Sequence, residues 1–236
     1  MLAQDCKQIK RLSRYFVTLF LNAGEKWSLV NLCIERTLFL RKPGEPKSPV
    51  IMSQPILETS RLILRSFRKD DAAAVKRLAG DWEIADTTLN VPHPYEDGMA
   101  EEWIEAHGPG YEAEKLATFA VVLRDTEELI GTIGLRINRD VNKGDLGYWI
   151  GKPYWNLGYA TEAARAVIAF GFDELELNRI YAGHFARNPS SGRVMEKIGM
   201  LREGTARQDT MKWGKYEDLV SYGMLREDWR QIQQSP

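Results

Sequence analysis

One turn constrains this chain most, the segment Trp155–Ala164, which follows the strand-like run Asp145–Ile150. A strand that enters a glycine-containing turn and then an alanine-rich helix directs several unpaired backbone N–H groups towards one point. Together with the positive end of the helix dipole, this arrangement binds a phosphate group without a charged side chain. Gly158 lets the backbone approach such an anion, because glycine has no Cβ. The pattern therefore predicts an anion-binding loop at Asn156–Thr161.

The loop does not by itself name a reaction. It lacks the Lys-Ser/Thr pair of a P-loop and the three-glycine spacing of a dinucleotide fingerprint, which disfavours nucleotide hydrolysis and hydride transfer. Taken alone, an ordinary strand-to-helix turn with a glycine for tightness is the simpler explanation. The neighbouring segments change that balance.

Composition narrows the class of protein. A chain of 236 residues with 44% hydrophobic residues can form one well-packed domain with an extension. The net charge is −1, so nucleic acid is not an expected partner. Cys6 and Cys33 lie outside the main domain, and the three histidines lack metal-ligand spacing, so no metal site is expected. The expected setting is the reducing cytoplasm.

The front segment, 1–51, differs from the rest. Its first fifty residues carry nine basic and four acidic side chains. The apolar run Tyr15–Leu21 faintly resembles a signal peptide, but it reaches only the lower limit of about 7 residues and no small-residue cleavage site follows. Nothing approaches the ~20 apolar residues of a spanning helix, so no membrane partner is expected. We interpret 1–51 as a basic extension and linker and 52–236 as the domain, with Met52 as an alternative start.

The patterns along 52–236 predict a strand within Leu57–Phe67, then helices, three strands, a helix, a strand, a helix and two strands. This order, with about seven strands, indicates an α+β fold. The three consecutive strands have short polar turns and are typical of an antiparallel meander. Asp70 or Asp71 is expected to cap the alanine-rich helix that runs to Ala79.

Four segments in this order carry a resemblance to a known family. They are Glu58–Leu62, Gly147–Ile150, Trp155–Ala164 and Asn188–Met200. Each is weak evidence alone, but all four in order are strong. The resemblance that they carry extends over about Leu57–Trp229. The chain resembles the GNAT acetyltransferase superfamily, and closely its RimJ/RimL-like branch of ribosomal-protein N-terminal acetyltransferases.

The resemblance implies a mixed, mostly antiparallel sheet flanked by helices, with two central strands that splay apart to form a groove for acetyl-CoA. The strands that match are Asp145–Ile150 and Arg179–Phe185, and the pantetheine chain would pair with the exposed edge of the first. Two positions depart from the pattern. Trp155 stands where the superfamily often has Arg or Gln, and Asn156 stands where the branch usually has Gly. Asn tolerates a positive φ, so the turn is expected to persist.

The resemblance also implies catalytic residues for an amine that attacks a thioester. Ser191 matches the hydroxyl that the branch places beside the thiol, and Asn188 matches a contact to pantetheine, although capping of the helix alone explains it equally well. Asp145 matches a carboxylate that relays a proton through water, or else it only bonds local backbone. Many branches of the superfamily use a Tyr as the general acid, one or two turns into the helix that begins near Asn188. Val194 and Met195 occupy those positions here.

Two further sets are implied. Backbone N–H groups near Ile150 would stabilise the developing oxyanion. The acceptor site would be walled by His93, Tyr95 and Tyr148. The residues expected to bind the cofactor are Trp149, Ile150, Asn156, Leu157, Gly158, Tyr159, Ala160, Thr161, Asn188 and Ser191.

The predicted function is direct transfer of acetyl from acetyl-CoA to a primary amine, foremost the N-terminal amine of a peptide or protein. Two alternatives stay open. The acceptor could be a small amine such as an antibiotic, an amino acid or a polyamine, or the chain could be a non-catalytic module that binds acyl-CoA. A monomer and a homodimer are both compatible with the sequence.

Overall fold

The computed structural model describes residues 53–234. The expectations about 1–51 and about Met52 lie outside these residues. Within them, no helix combines the length and the apolar character needed to cross a membrane.

The regular elements follow the order that the sequence patterns predicted, with one further helix, Arg226–Gln234, after the last strand. Short 3-10 turns precede α1 and α5, and a π-helical turn, Phe170–Glu174, continues α5. The strands are β1 (Leu57–Glu58), β2 (Leu62–Arg65), β3 (Leu116–Leu123), β4 (Leu129–Asn138), β5 (Lys143–Ile150), β6 (Arg179–Phe185), β7 (Leu201–Lys212) and β8 (Lys215–Leu225). The helices are α1 (Ala72–Ala79), α2 (Trp82–Thr87), α3 (Met99–Glu105), α4 (His107–Glu112), α5 (Tyr159–Ala169), α6 (Pro189–Lys197) and α7 (Arg226–Gln234).

All eight strands form one sheet in the order β1-β2-β3-β4-β5-β6-β8-β7. Only the β5–β6 pair is parallel, which confirms the expected mixed, mostly antiparallel sheet. The sheet has eight strands rather than about seven because Leu57–Phe67 forms two strands. A tight turn between them is closed by a 3.0 Å bond from the Thr59 N–H to the Leu62 carbonyl.

The two central strands splay apart, as expected. Strand β5 pairs with β6 only from Lys143 to Asp145, opposite Arg179–Tyr181. Antiparallel pairing holds β5 to β4 along its whole length, and it holds β6 to β8 from end to end. The second half of β5 therefore presents an unpaired edge to the gap in front of β6.

The core lies on both faces of the sheet. Alternation along β5 sends Leu146 and Ile150 towards α5 and α6, and it sends Trp149 towards α1 and α3. Trp149 is buried in that second cluster, so its indole packs the core behind the groove.

The expected cap of α1 is wrong in its detail. The Asp71 carboxylate makes no capping bond to α1. It accepts two bonds from the Arg65 guanidinium, at 2.7 and 2.9 Å, and one from the backbone N–H of Arg68 at 2.7 Å. Asp71 therefore joins strand β2 to the turn before α1, because a charged fork is a stronger partner than a helical N–H.

Candidate active site

The loop before α5 has the backbone that an anion site requires. Gly158 has φ +84° and precedes the first residue of α5, and Asn156 has φ +62°. Asn156 thus adopts the left-handed conformation that the sequence analysis expected it to tolerate. Gly158 is the N-cap of α5 and has no side chain that could accept a hydrogen bond. The N–H groups in the first turn of α5 have no acceptor within the helix. They remain available for a bound anion.

The Glu162 carboxylate in α5 joins two of the segments that carry the resemblance, Glu58–Leu62 and Trp155–Ala164. Glu162 accepts hydrogen bonds from the hydroxyls of Thr59 at 2.7 Å and Ser60 at 3.0 Å. It also accepts from the backbone N–H of Arg61 at 2.9 Å and from its Nε at 2.7 Å. Burial alone would raise the pKa of Glu162, but these hydrogen bonds outweigh it and hold that pKa below the usual range. The segment between β1 and β2 is thereby fastened to the anion loop.

Arg61 adds positive charge beside the loop. Its Nη1 donates to the Leu157 carbonyl at 3.0 Å, and its guanidinium lies 4.6 Å from the centre of the Tyr159 ring. A Cβ added at Gly158 would lie 3.4 Å from Arg61 Nη2. The guanidinium therefore borders the space in front of the loop.

Tyr148 and Ser191 meet across the open end of the splay. The Tyr148 hydroxyl lies 2.8 Å from Ser191 Oγ and donates to the Ser191 carbonyl at 3.1 Å. Burial raises the pKa of Tyr148 to about 12, and the Ser191 bond offsets only part of that effect. Tyr148 therefore keeps its proton throughout the physiological range and can act as a hydrogen-bond donor.

Asn188 is the N-cap of α6, and its Oδ1 accepts from the Ser191 N–H at 3.4 Å. Pro189 follows as the first helical residue, where its missing N–H costs nothing. The cap fixes the first turn of the helix and hence the direction of Ser191.

Gly192, next to Ser191, makes room for a buried histidine. His184 on β6 is 8% exposed, and a Cβ at Gly192 would lie 2.7 Å from its Nε2. The His184 Nδ1 lies 2.8 Å from the Phe185 carbonyl, so the tautomer that donates from Nδ1 is favoured. The first turn of α6 thus rests directly on the histidine ring.

Asp145 lies at the closed end of the splay, opposite Tyr181. Burial raises the pKa of its carboxyl group, partly offset by Arg136 and Lys143, and the Arg136 guanidinium is 3.8 Å away. Because side chains alternate along a strand, Asp145 points to the face of β5 opposite that of Tyr148. The structure does not bring Asp145 into contact with Ser191.

The loop that carries His93 and Tyr95 meets the β7–β8 hairpin near α2. His93 packs edge-on against Trp82, with ring centres 5.1 Å apart, whereas Tyr95 is half-buried against α1 and α3. From the hairpin that joins β7 to β8, Lys212 Nζ donates to the carbonyls of Leu89 at 3.2 Å and Val91 at 2.9 Å.

Two contributions escaped the reasoning from sequence. The Trp155 indole donates to the Ile150 carbonyl at 2.5 Å, which closes the end of β5. Arg187, directly before Asn188, donates to Asp86 Oδ2 at 2.6 Å and to Glu217 Oε1 at 2.9 Å. These partners are far apart in sequence, and no local pattern announces them.

Comparisons with known proteins agree with this geometry. The sequence profile of the family described as "Acetyltransferase (GNAT) domain" matches residues 61–201. An N-acetyltransferase of Bacillus subtilis (strain 168), YnaD, is 35% identical over 173 residues, which is 73% of this chain and 98% of the relative. The "Putative ribosomal N-acetyltransferase YdaF" of the same organism is 41% identical over 102 residues, 43% of this chain and 56% of the relative. A crystal structure of a GNAT-family acetyltransferase from Bacillus anthracis is 29% identical, with TM-score 0.65, and covers 73% of this chain and 99% of that one.

The splayed sheet and the left-handed turn before α5 fit an acyltransferase. The chain belongs to the GNAT family of N-acetyltransferases, and among its relatives is one named for ribosomal N-acetylation.

Proposed function

We propose that this protein transfers the acetyl group of acetyl-CoA to the N-terminal amine of a peptide or protein. The observation that carries the proposal is the contact of Tyr148 with Ser191, 2.8 Å across the open end of the splay. It offers a half-buried pair of hydroxyl groups where the unpaired edge of β5 faces the first turn of α6.

The residues present fit acetyl-CoA. The free N–H groups at the start of α5, with Arg61 beside them, suit the diphosphate. The unpaired edge of β5 offers backbone donors and acceptors to the two amide groups of pantetheine. The Trp155 indole already satisfies the Ile150 carbonyl, which favours pairing with the part of the edge before Ile150.

Acetyl-CoA supplies an activated acetyl thioester that an amine attacks directly, and the departing thiolate takes up a proton. Tyr148 holds its own single proton, which either the Ser191 carbonyl or Ser191 Oγ can accept. When Oγ accepts it, the Ser191 hydroxyl proton is free to point into the groove. Ser191 is therefore the proposed proton donor, with Tyr148 as its support and Asn188 as the cap that orients it.

Asp145 is the proposed acceptor of the amine's proton. Burial raises the pKa of its carboxyl group, which is the direction that a base near neutral pH requires. Because Asp145 lies on the other face of β5, this transfer would pass through water.

A peptide acceptor is supported by the relative named for ribosomal N-acetylation, which matches this chain at 41% identity. A small amine is the competing acceptor that the following experiment tests.

The experiment measures thiol release from acetyl-CoA over a panel of short peptides, amino acids and polyamines. We expect turnover on peptides, and Ser191→Ala should lower kcat about tenfold or more with little change in the KM for acetyl-CoA. Ser190→Ala is the matched control, since Ser190 is exposed in the same helical turn and its hydroxyl binds Arg193.

Equal losses in the two serine variants would contradict the role of Ser191. Turnover on polyamines alone would replace the peptide by a small amine. Binding of CoA without turnover on any amine would favour a non-catalytic module.

A further inference from the structure

We propose that the acceptor carries a large apolar side chain close behind its amine, and that this side chain packs on an aromatic platform. The platform consists of Trp82, His93 and Trp213. The inference rests on the proposed function, because it names the kind of peptide that the same site would accept.

The platform is a layered set of rings that remains open to solvent. Trp82 and Trp213 stack with their ring centres 5.4 Å apart and 24° between planes. Trp82 is 49% exposed and Trp213 is 42% exposed. Two stacked indoles that are both more than two-fifths exposed present apolar ring surface to solvent, a feature that marks a binding surface.

Helix α2 places Trp82 at the open end of the splay. The Glu83 carboxylate forms an ion pair with Lys152, just after β5, and the Asp86 carboxylate binds Arg187, just after β6. The helix therefore lies across the ends of the two splayed strands. Trp82 is the first residue of this helix, so the platform lies at the same end of the splay as Ser191.

The β7–β8 hairpin holds Trp213 in place. The ammonium group of Lys212 is buried, donates to the Leu89 and Val91 carbonyls, and lies 4.2 Å from the Trp213 ring centre. The hairpin and the loop that carries His93 are thus joined. A preformed platform loses little entropy when a side chain binds to it.

The charges around the platform favour an apolar group over a second cation. Three carboxylates beside it already have cationic partners: Glu83 has Lys152, while Asp86 and Glu217 share Arg187. A polyamine would need unpaired carboxylates, whereas a single amine next to an apolar side chain needs none here.

The test uses the full-length protein and peptides that differ only in their first two residues, with Phe or Leu replaced by Ser. We expect kcat/KM to favour the apolar peptides by about fivefold or more, the scale of one aromatic contact. Trp82→Ala and Trp213→Ala should each remove most of this preference while the KM for acetyl-CoA stays unchanged.

Tyr216→Ala is the matched control. Tyr216 is 65% exposed in the same hairpin, but it pairs with Met211 and so faces away from the side of Lys212. This variant should keep the preference.

These results would overturn the inference: no apolar preference in the unaltered protein, equal loss in the control, or tryptophan variants that keep the preference or lower all rates alike. A change in sedimentation without a change in preference would assign the platform to contact between copies and would also overturn it. Failure of the proposed function looks different, because no peptide would then be acetylated at all.

Discussion

Replacing Gly192 by Ala tests whether the first turn of α6 rests on His184 as tightly as the structure shows. In an open helical position this change would stabilise a protein by about 1 kcal/mol, because Ala forms helix more readily than Gly. At Gly192, however, the new Cβ would lie 2.7 Å from His184 Nε2 and 3.3 Å from the Tyr222 hydroxyl. Both neighbours are buried, so neither can move away easily.

The expected cost of forcing a methyl group into such a site is about 1–3 kcal/mol. Set against the gain in helix propensity, Gly192→Ala should lower the free energy of unfolding by about 1 kcal/mol, or at best leave it unchanged. With His184→Ala as background, the ring is gone and the same change should stabilise by about 1 kcal/mol. The sign of the effect should therefore reverse between the two backgrounds.

Urea unfolding of the four proteins, the original, the two single variants and the double variant, measures this coupling. We expect an interaction energy of about 1–3 kcal/mol between the two positions. Thiol release should also slow in Gly192→Ala, because the adjacent Ser191 would shift. If Gly192→Ala stabilises both backgrounds equally, the contact with His184 is not tight and the reasoning fails.

Three further outcomes are expected. Gly158→Ala should raise the KM for acetyl-CoA about tenfold, whereas Gly214→Ala, at φ +74° with open space around it, should leave that KM unchanged. Burial lowers the pKa of His107 to about 4 in the folded protein. As the pH falls below 6.5, His107 of the unfolded chain binds a proton while the folded protein does not, so the free energy of unfolding should fall by about 3 kcal/mol between pH 6.5 and 4. Urea unfolding at both ends of this range should show that slope, and His107→Asn should flatten it. Glu162→Gln should lower the free energy of unfolding by about 1–3 kcal/mol at pH 7. Near pH 3 the loss should be smaller, because the pKa of Glu162 is depressed and protonation removes the contribution of its carboxylate. An equal loss at both pH values would contradict this reasoning.

The features that could be predicted from the sequence are those that depend on residues close together in the chain. The Asn188-Pro189 start of α6 was foreseen because a cap and an N-terminal proline act within one helical turn. The positive φ of Asn156 was expected on similarly local grounds, because Asn tolerates the left-handed conformation. The Asp71 cap was wrong because a local rule competed with Arg65, a partner on a different element.

The order and type of the elements, the anion loop and the cap of α6 were determined by the sequence itself, since each depends on residues within a few positions of one another. The tertiary structure alone decided how the segments meet. The link of Glu162 to Arg61 spans 101 residues, and the joining of Lys212 to Leu89 spans 123. Such pairings depend on how a twisted sheet brings distant strands side by side, and no spacing in the chain encodes them. For the same reason, the separation of Asp145 from Ser191 on opposite faces of β5 could be found only in the folded chain.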